Sequence, residues 1–156
     1  MIRTATPADA LAIAEIWNHY IRVSTNTFAS IEKTEADIAM LLESRPIFVA
    51  DQAGNISGFA HWGPFRGADG YRHTAEHTVY LRPDTARRGT GRALMAEVEA
   101  HAAAAGIHTI WAAISAENAA GIAFHERLGY TDAVRLNEVG RKFDRWLDLV
   151  LMQKRL

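Results

Sequence analysis

The sequence predicts an α/β fold: a mixed, mostly antiparallel sheet flanked by helices. Three observations predict it. Strand-like runs joined by short turns stand near both ends of the chain, and such runs close into hairpins. The middle reads strand, helix, strand, which is how parallel neighbours are connected. Between these lie helical stretches that open on capping residues and close on glycine or before proline.

In chain order, "IRTA" is a first strand. Thr6 then caps a helix, with Pro7 at its first position and Asp9 in its first turn. Ile13, Ile16, Trp17, Tyr20 and Ile21 follow as an apolar stripe at helical spacing. Thr34 caps a second, short helix that ends before Pro46. "IFVADQ" and "ISGFAHWG" flank "AGN" and read as a β-hairpin, followed by the loop "PFRGADGYR". "TAEHTVYL" is rich in Thr, Val and Tyr and reads as a strand. A long helix runs from about Thr90 to Ala105, with Gly106 just past its end. "HTIWAAI" is a strand, and "ENAAGIAFHERL" is a helix that starts near Asn118 and closes at Gly129. "YTDAVRL" and "FDRWLDLVLMQ" are the last two strands. No repeat, low-complexity tract or linker interrupts residues 1–156, so one domain is expected.

Composition narrows the function. Over 156 residues the formal net charge is −1, so no global field recruits nucleic acid or an anionic membrane, and any anion site must be local. With no cysteine there is no disulfide framework, thiol nucleophile or zinc ribbon. "MIRTATPADA" lacks the apolar core of a signal peptide and no apolar run approaches a membrane span, which points to the cytoplasm.

The local anion site is "TARRGTGRAL", residues 85–94. A loop entering a helix N-terminus exposes free backbone N–H groups at the positive end of the helix dipole. Gly89 and Gly91 leave the backbone bare, with Thr90 between them, and Arg87, Arg88 and Arg92 add guanidinium groups suited to phosphate oxygens. A Walker A loop would need Gly-Lys-Ser/Thr, and a dinucleotide fingerprint would need a third glycine where Leu94 stands. A pyrophosphate remains the simplest ligand; a solvated turn with surface arginines is the other reading of this stretch alone.

"VYLRPDTARRGTGRALM" resembles motif A of the GNAT acyltransferase superfamily, Gln/Arg-x-x-Gly-x-Gly/Ala, which holds the pyrophosphate of acetyl-coenzyme A. The Gln/Arg position is Ala86 here. "NAAGIAFHERLGY" is similar to the family's motif B, in the expected order and spacing. "NHY" at 18–20, "GPFR" at 63–66, "GYRHTAEHTVYL" at 70–81 and "KFDRWLD" at 142–148 are similar to the phosphinothricin and methionine sulfone/sulfoximine N-acetyltransferases. The resemblance implies a GNAT fold, acetyl-CoA as cosubstrate, no metal, a small amine acceptor and a homodimer.

It also implies roles. Glu76, in an extended segment with Thr78 and Tyr80 on its face, matches the catalytic glutamate, acting as base through water. His125 stands where many relatives carry a tyrosine that is acid toward the thiolate; a ring packed inside the helix is the equal alternative. Val79, Tyr80 and Leu81 would offer backbone groups to the pantetheine arm, and Asn118 a hydrogen bond. For an amino-acid-like acceptor, Arg66, Arg72 and Lys142 are the candidate cations, Phe28, Tyr71 and Trp146 the pocket walls, and Asp69 and Gly70 part of a loop approaching the ligand.

Two rivals stay in view. "HTAEH" at 73–77 matches the inverted zinc-protease motif, but on a strand its histidines stand about 13 Å apart, too far to share one ion. A non-catalytic coenzyme A sensor would keep the glycine turn and Asn118 without a poised base. Within the same fold the acceptor could also be an aminoglycoside, a polyamine or a protein N-terminus.

Overall fold

The computed structural model describes residues 1–85 and 89–156. Strands β1 (Ile2–Thr4), β2 (Ile47–Gln52), β3 (Asn55–Pro64), β4 (Thr74–Leu81), β5 (Thr109–Ser115), β6 (Thr131–Lys142) and β7 (Arg145–Arg155) form one sheet in the order β1-β2-β3-β4-β5-β7-β6. Among the described residues β4 and β5 alone pair in parallel; the other neighbours are antiparallel. Helices α1 (Ala10–Val23) and α2 (Glu35–Ser44) cover one face, and α3 (Thr90–Ala104) and α4 (Ala119–Arg127) the other.

Strand alternation builds a core on each face. Ile47, Val49 and Phe59 turn toward Ile13, Ala14 and Ile16 of α1 and Ile38 of α2. Phe48, Ala50, Ala60 and Ala75 turn the opposite way, onto Leu94, Met95 and Val98 of α3. The helix starts follow their caps. Asp9 accepts from the Thr6 backbone N–H and from both ends of the Arg3 guanidinium. Thr34 accepts from the Asp37 N–H, and the Asp37 carboxylate accepts from the Thr34 N–H in return.

Two departures from the sequence reading lie in the last hairpin. β6 runs to Lys142 rather than stopping at Leu136, because bulges absorb Asp132 and Glu138, both at positive φ. The chain then turns through Phe143 (φ 51) and Asp144 (φ 57), so β7 starts at Arg145 rather than Phe143. That two-residue turn needs both residues left-handed, as in the Ala53–Gly54 turn between β2 and β3.

Candidate active site

The parallel pair β4–β5 holds for three residues only. Its last shared position is Glu76↔Trp111. Beyond it β4 continues to Leu81 along β3, and β5 to Ser115 along β7, and the two strands part. The phase of the β3–β4 ladder says which backbone groups face the gap. Phe65 N–H donates to Thr74 O, and Arg82 N–H donates to Ser57 O. With antiparallel alternation, the even positions from Thr74 to Arg82 bond to β3, and the odd ones turn their N–H and C=O the other way. His77, Val79 and Leu81 therefore present backbone groups to the open side. Tyr80, between them, turns its backbone to Phe59 and packs its ring against Tyr20 at 4.9 Å. The Leu81 carbonyl accepts from the Tyr20 hydroxyl at 2.6 Å, which leaves its N–H for the gap.

The glycine turn leads into α3. Among the described residues, Gly89 caps that helix at φ 77 with nothing within 4 Å of a built Cβ, and no side chain caps the first turn. Its first N–H groups are thus left without a side-chain cap among the described residues. Gly91 is buried for a different reason: a Cβ there would press on the Phe124 ring of α4 at 3.2 Å. Arg92 is exposed. Arg87 and Arg88 lie outside the described residues. At the start of α4, Asn118 Oδ1 accepts from Gly121 N–H at 2.9 Å, which leaves its Nδ2 uncommitted to the cap. A side chain at Gly121 would overlap that amide.

Glu76 sits where the two strands part. The residue is exposed, yet the protein around it removes enough hydration to raise its pKa above the ordinary glutamate value. Phe65 stacks on Trp111 at 5.7 Å, and Tyr71 meets Phe65 edge-on at 6.1 Å. Arg66 lies over the Phe65 ring at 5.3 Å. Asp69, Gly70 and Tyr71 form one exposed turn of 3-10 helix. Arg72 turns its Nε to His73 Nε2 at 3.1 Å.

On the other face of β4, the buried His77 ring stacks on His125 at 5.0 Å, with Tyr130 edge-on to both. Burial pushes both histidines down, His77 well below its usual value. His125 Nδ1 sits 2.7 Å from the Gly121 carbonyl, so Nδ1 carries the proton and Nε2 a lone pair. Donation from Nε2 to a thiolate would require the imidazolium, which burial disfavours.

The structure gives other expected residues partners of their own. Lys142 Nζ donates to the carbonyls of Ser24 (2.6 Å), Thr27 (2.9 Å) and Tyr20 (3.4 Å), so its ammonium closes the end of α1. Phe28 packs over Gly140, where a Cβ would overlap its ring. Trp146 is 59% exposed beneath the Arg141 guanidinium, on the outer hairpin. His73 precedes β4 and meets the Gly106 carbonyl, while His77 faces His125, so the two histidines of "HTAEH" serve different neighbours. The sequence reading passed over Phe65 and Trp111, because only the cross-strand register sets them beside Glu76.

A sheet opened between two parallel strands, with a bare helix N-terminus close by and a carboxylate at the apex, defines an acyltransferase fold. The acetyltransferase (GNAT) domain model matches residues 2–151. The chain is 38% identical to an L-amino acid N-acyltransferase of Escherichia coli, over 99% of this chain and 93% of that one. It is 34% identical to the phosphinothricin N-acetyltransferase of Streptomyces viridochromogenes, over 98% and 86%. Among solved structures, a phosphinothricin acetyltransferase from Sinorhizobium meliloti in complex with acetyl-CoA superposes with TM-score 0.94 at 30% identity, over 100% of this chain and 88% of that one. The chain belongs to the GNAT family and is an acetyl-CoA-dependent N-acetyltransferase.

Proposed function

We propose that this enzyme acetylates the α-amine of a small amino acid analogue, of the phosphinothricin or methionine sulfone/sulfoximine type, by direct attack on the thioester. The observation that carries the reading is Glu76 at the point where β4 and β5 part, with a pKa raised toward working pH. An ammonium that gives its proton to Glu76 through water becomes the nucleophile. His77, Val79 and Leu81 offer backbone groups to the peptide-like arm of acetyl-CoA, as one strand offers them to another. Asn118 Nδ2 adds a donor, and the turn from Arg87 to Arg92 takes the pyrophosphate. His125, in its neutral tautomer, holds the floor of the site, and the thiolate takes its proton from water.

The acceptor lies on the α1 face, walled by Phe65, Tyr71 and Trp111. The similarity to amino acid N-acetyltransferases supports this acceptor class. One domain over residues 1–156, a cytoplasmic location and a homodimer belong to the same proposal. The exposed Val134, Val139, Phe143 and Trp146 on the outer hairpin support pairing with a second copy.

An acetyl-CoA consumption assay over amino acids and their sulfone, sulfoximine and phosphinate analogues tests the reading. Glu76→Gln is expected to lower turnover by about 10²–10⁴-fold with acetyl-CoA affinity intact. Tight acetyl-CoA binding with no turnover on the whole panel would favour a sensor instead.

A further inference from the structure

The register of the sheet brings an arginine level with Glu76. Two residues beyond the pair Ile47↔His61, Arg45 stands opposite Gly63, and Gly63 is paired with Glu76. Gly63, Glu76 and Trp111 form one row across β3, β4 and β5, and Arg45, the extended C-cap residue of α2, stands at its end. Directly opposed residues point to the same face. The Arg45 guanidinium fills the space where a side chain at Gly63 would be, since a Cβ built there overlaps its Nη1. It therefore lies on the face of Glu76, about one strand spacing, ~4.8 Å, to the side.

This guanidinium lacks what a structural arginine has. Among the described residues no carboxylate pairs with it, and its Nε is buried without a hydrogen-bond partner. Its neighbour His61 is held neutral, its pKa pushed down to about 4 by burial and by Arg45 itself. That Nε is a donor taken out of water without an acceptor, which is costly to keep. Meanwhile Lys142 is committed to three carbonyls, Arg66 lies on Phe65 and Arg72 turns to His73.

We propose that Arg45 is the specificity residue that takes the carboxylate of the acceptor, with Gly63 glycine in order to let it reach across. The proposal rests on the amino-acid acceptor class proposed above and names the residue that selects it. An α-amino acid whose ammonium meets Glu76 through one water, at hydrogen-bond distances of about 3 Å, carries its carboxylate roughly one strand spacing away.

The test compares L-methionine sulfone with the same amine lacking its carboxylate, on wild type, Arg45→Met, Arg45→Lys and Gly63→Ala. Arg45→Met is expected to raise KM for methionine sulfone by about 10- to 100-fold, the range of a charge-assisted bond, and to leave kcat/KM for the decarboxylated amine within about twofold. Arg45→Lys should recover part of the loss. Gly63→Ala, which displaces the guanidinium without removing it, should give the same selective loss. An unchanged acetyl-CoA Kd shows that each variant is folded. Equal losses on both acceptors, or a matched shift of both pH profiles, would mean that Arg45 acts on Glu76 or on the fold, and overturn the proposal. Calorimetric binding of methionine sulfone gives the answer without turnover. A Kd indifferent to Arg45 overturns it, whereas a Kd that depends on Arg45 in a protein that acetylates nothing upholds the carboxylate site and sinks the acetyl-transfer reading.

Discussion

Lys142→Met separates two roles that one side chain could play. Lys142 is 5% exposed, and its ammonium reaches three carbonyls at the end of α1 and in the segment after it. The bonds to Ser24 and Thr27 are short, at 2.6 and 2.9 Å, and each charge-assisted bond is worth about 1.5–3 kcal/mol. Burying the ammonium takes back part of this. Methionine fills the same volume but leaves those carbonyls without a donor. A net loss of about 3 kcal/mol is expected, or about 6–12 °C in Tm for a chain of this length. Thermal unfolding monitored by circular dichroism reads the shift, and steady-state kinetics at a temperature where the variant is folded reads the acceptor KM. The expected outcome is a large fall in Tm with the acceptor KM changed less than about threefold. A Tm within about 2 °C of wild type together with a raised acceptor KM would refute the structural role and return Lys142 to the list of substrate cations.

Burial raises the Glu76 pKa, so its basic form is lost at higher pH than for a free glutamate. The acidic limb of kcat/KM against pH should therefore bend above the ordinary value of about 4.3, and vanish in Glu76→Gln. Gly121→Ala drives a Cβ into Asn118; loss of the cap, about 1 kcal/mol, should lower Tm and weaken acetyl-CoA binding together, whereas a gain in stability from helix propensity would show that the cap is dispensable. The Asp9 pKa is lowered to about 2, chiefly by the Arg3 guanidinium, so its contribution is complete above the unfolded-state value near 4 and fades as pH falls toward 2. Asp9→Asn should cost about 2 kcal/mol in urea unfolding at pH 7 and about a third of that at pH 2.5.

Features set by near neighbours in the chain were legible in the sequence. The stripe from Ile13 to Ile21, the caps at Thr6 and Thr34 and the glycines closing α3 and α4 depend on contacts within a few residues. The length of β6 was not, because bulges at Asp132 and Glu138 let polar residues continue a strand whose pattern they break. Nor was the Phe143–Asp144 turn, which has no glycine to announce its left-handed residues. In the site, Glu76 could be picked out by pattern, but its surroundings could not. Trp111 is set beside it by strand register, and Arg45 comes over its neighbour Gly63 from the end of α2; both are tertiary properties. Lys142 was readable as a cation, while its partners lie 115 to 122 residues away.

The three-residue ladder between β4 and β5 has a mechanical consequence. Most sheets expose raw hydrogen-bonding edges at their rims; here two such edges lie in the interior, while one buried core beneath both strands holds the two sides together. A guest that threads the fork serves as a temporary splint, bracing both halves. In the acetyl transfer proposed above, the two edges are covered while acetyl-CoA is bound and bared when it leaves.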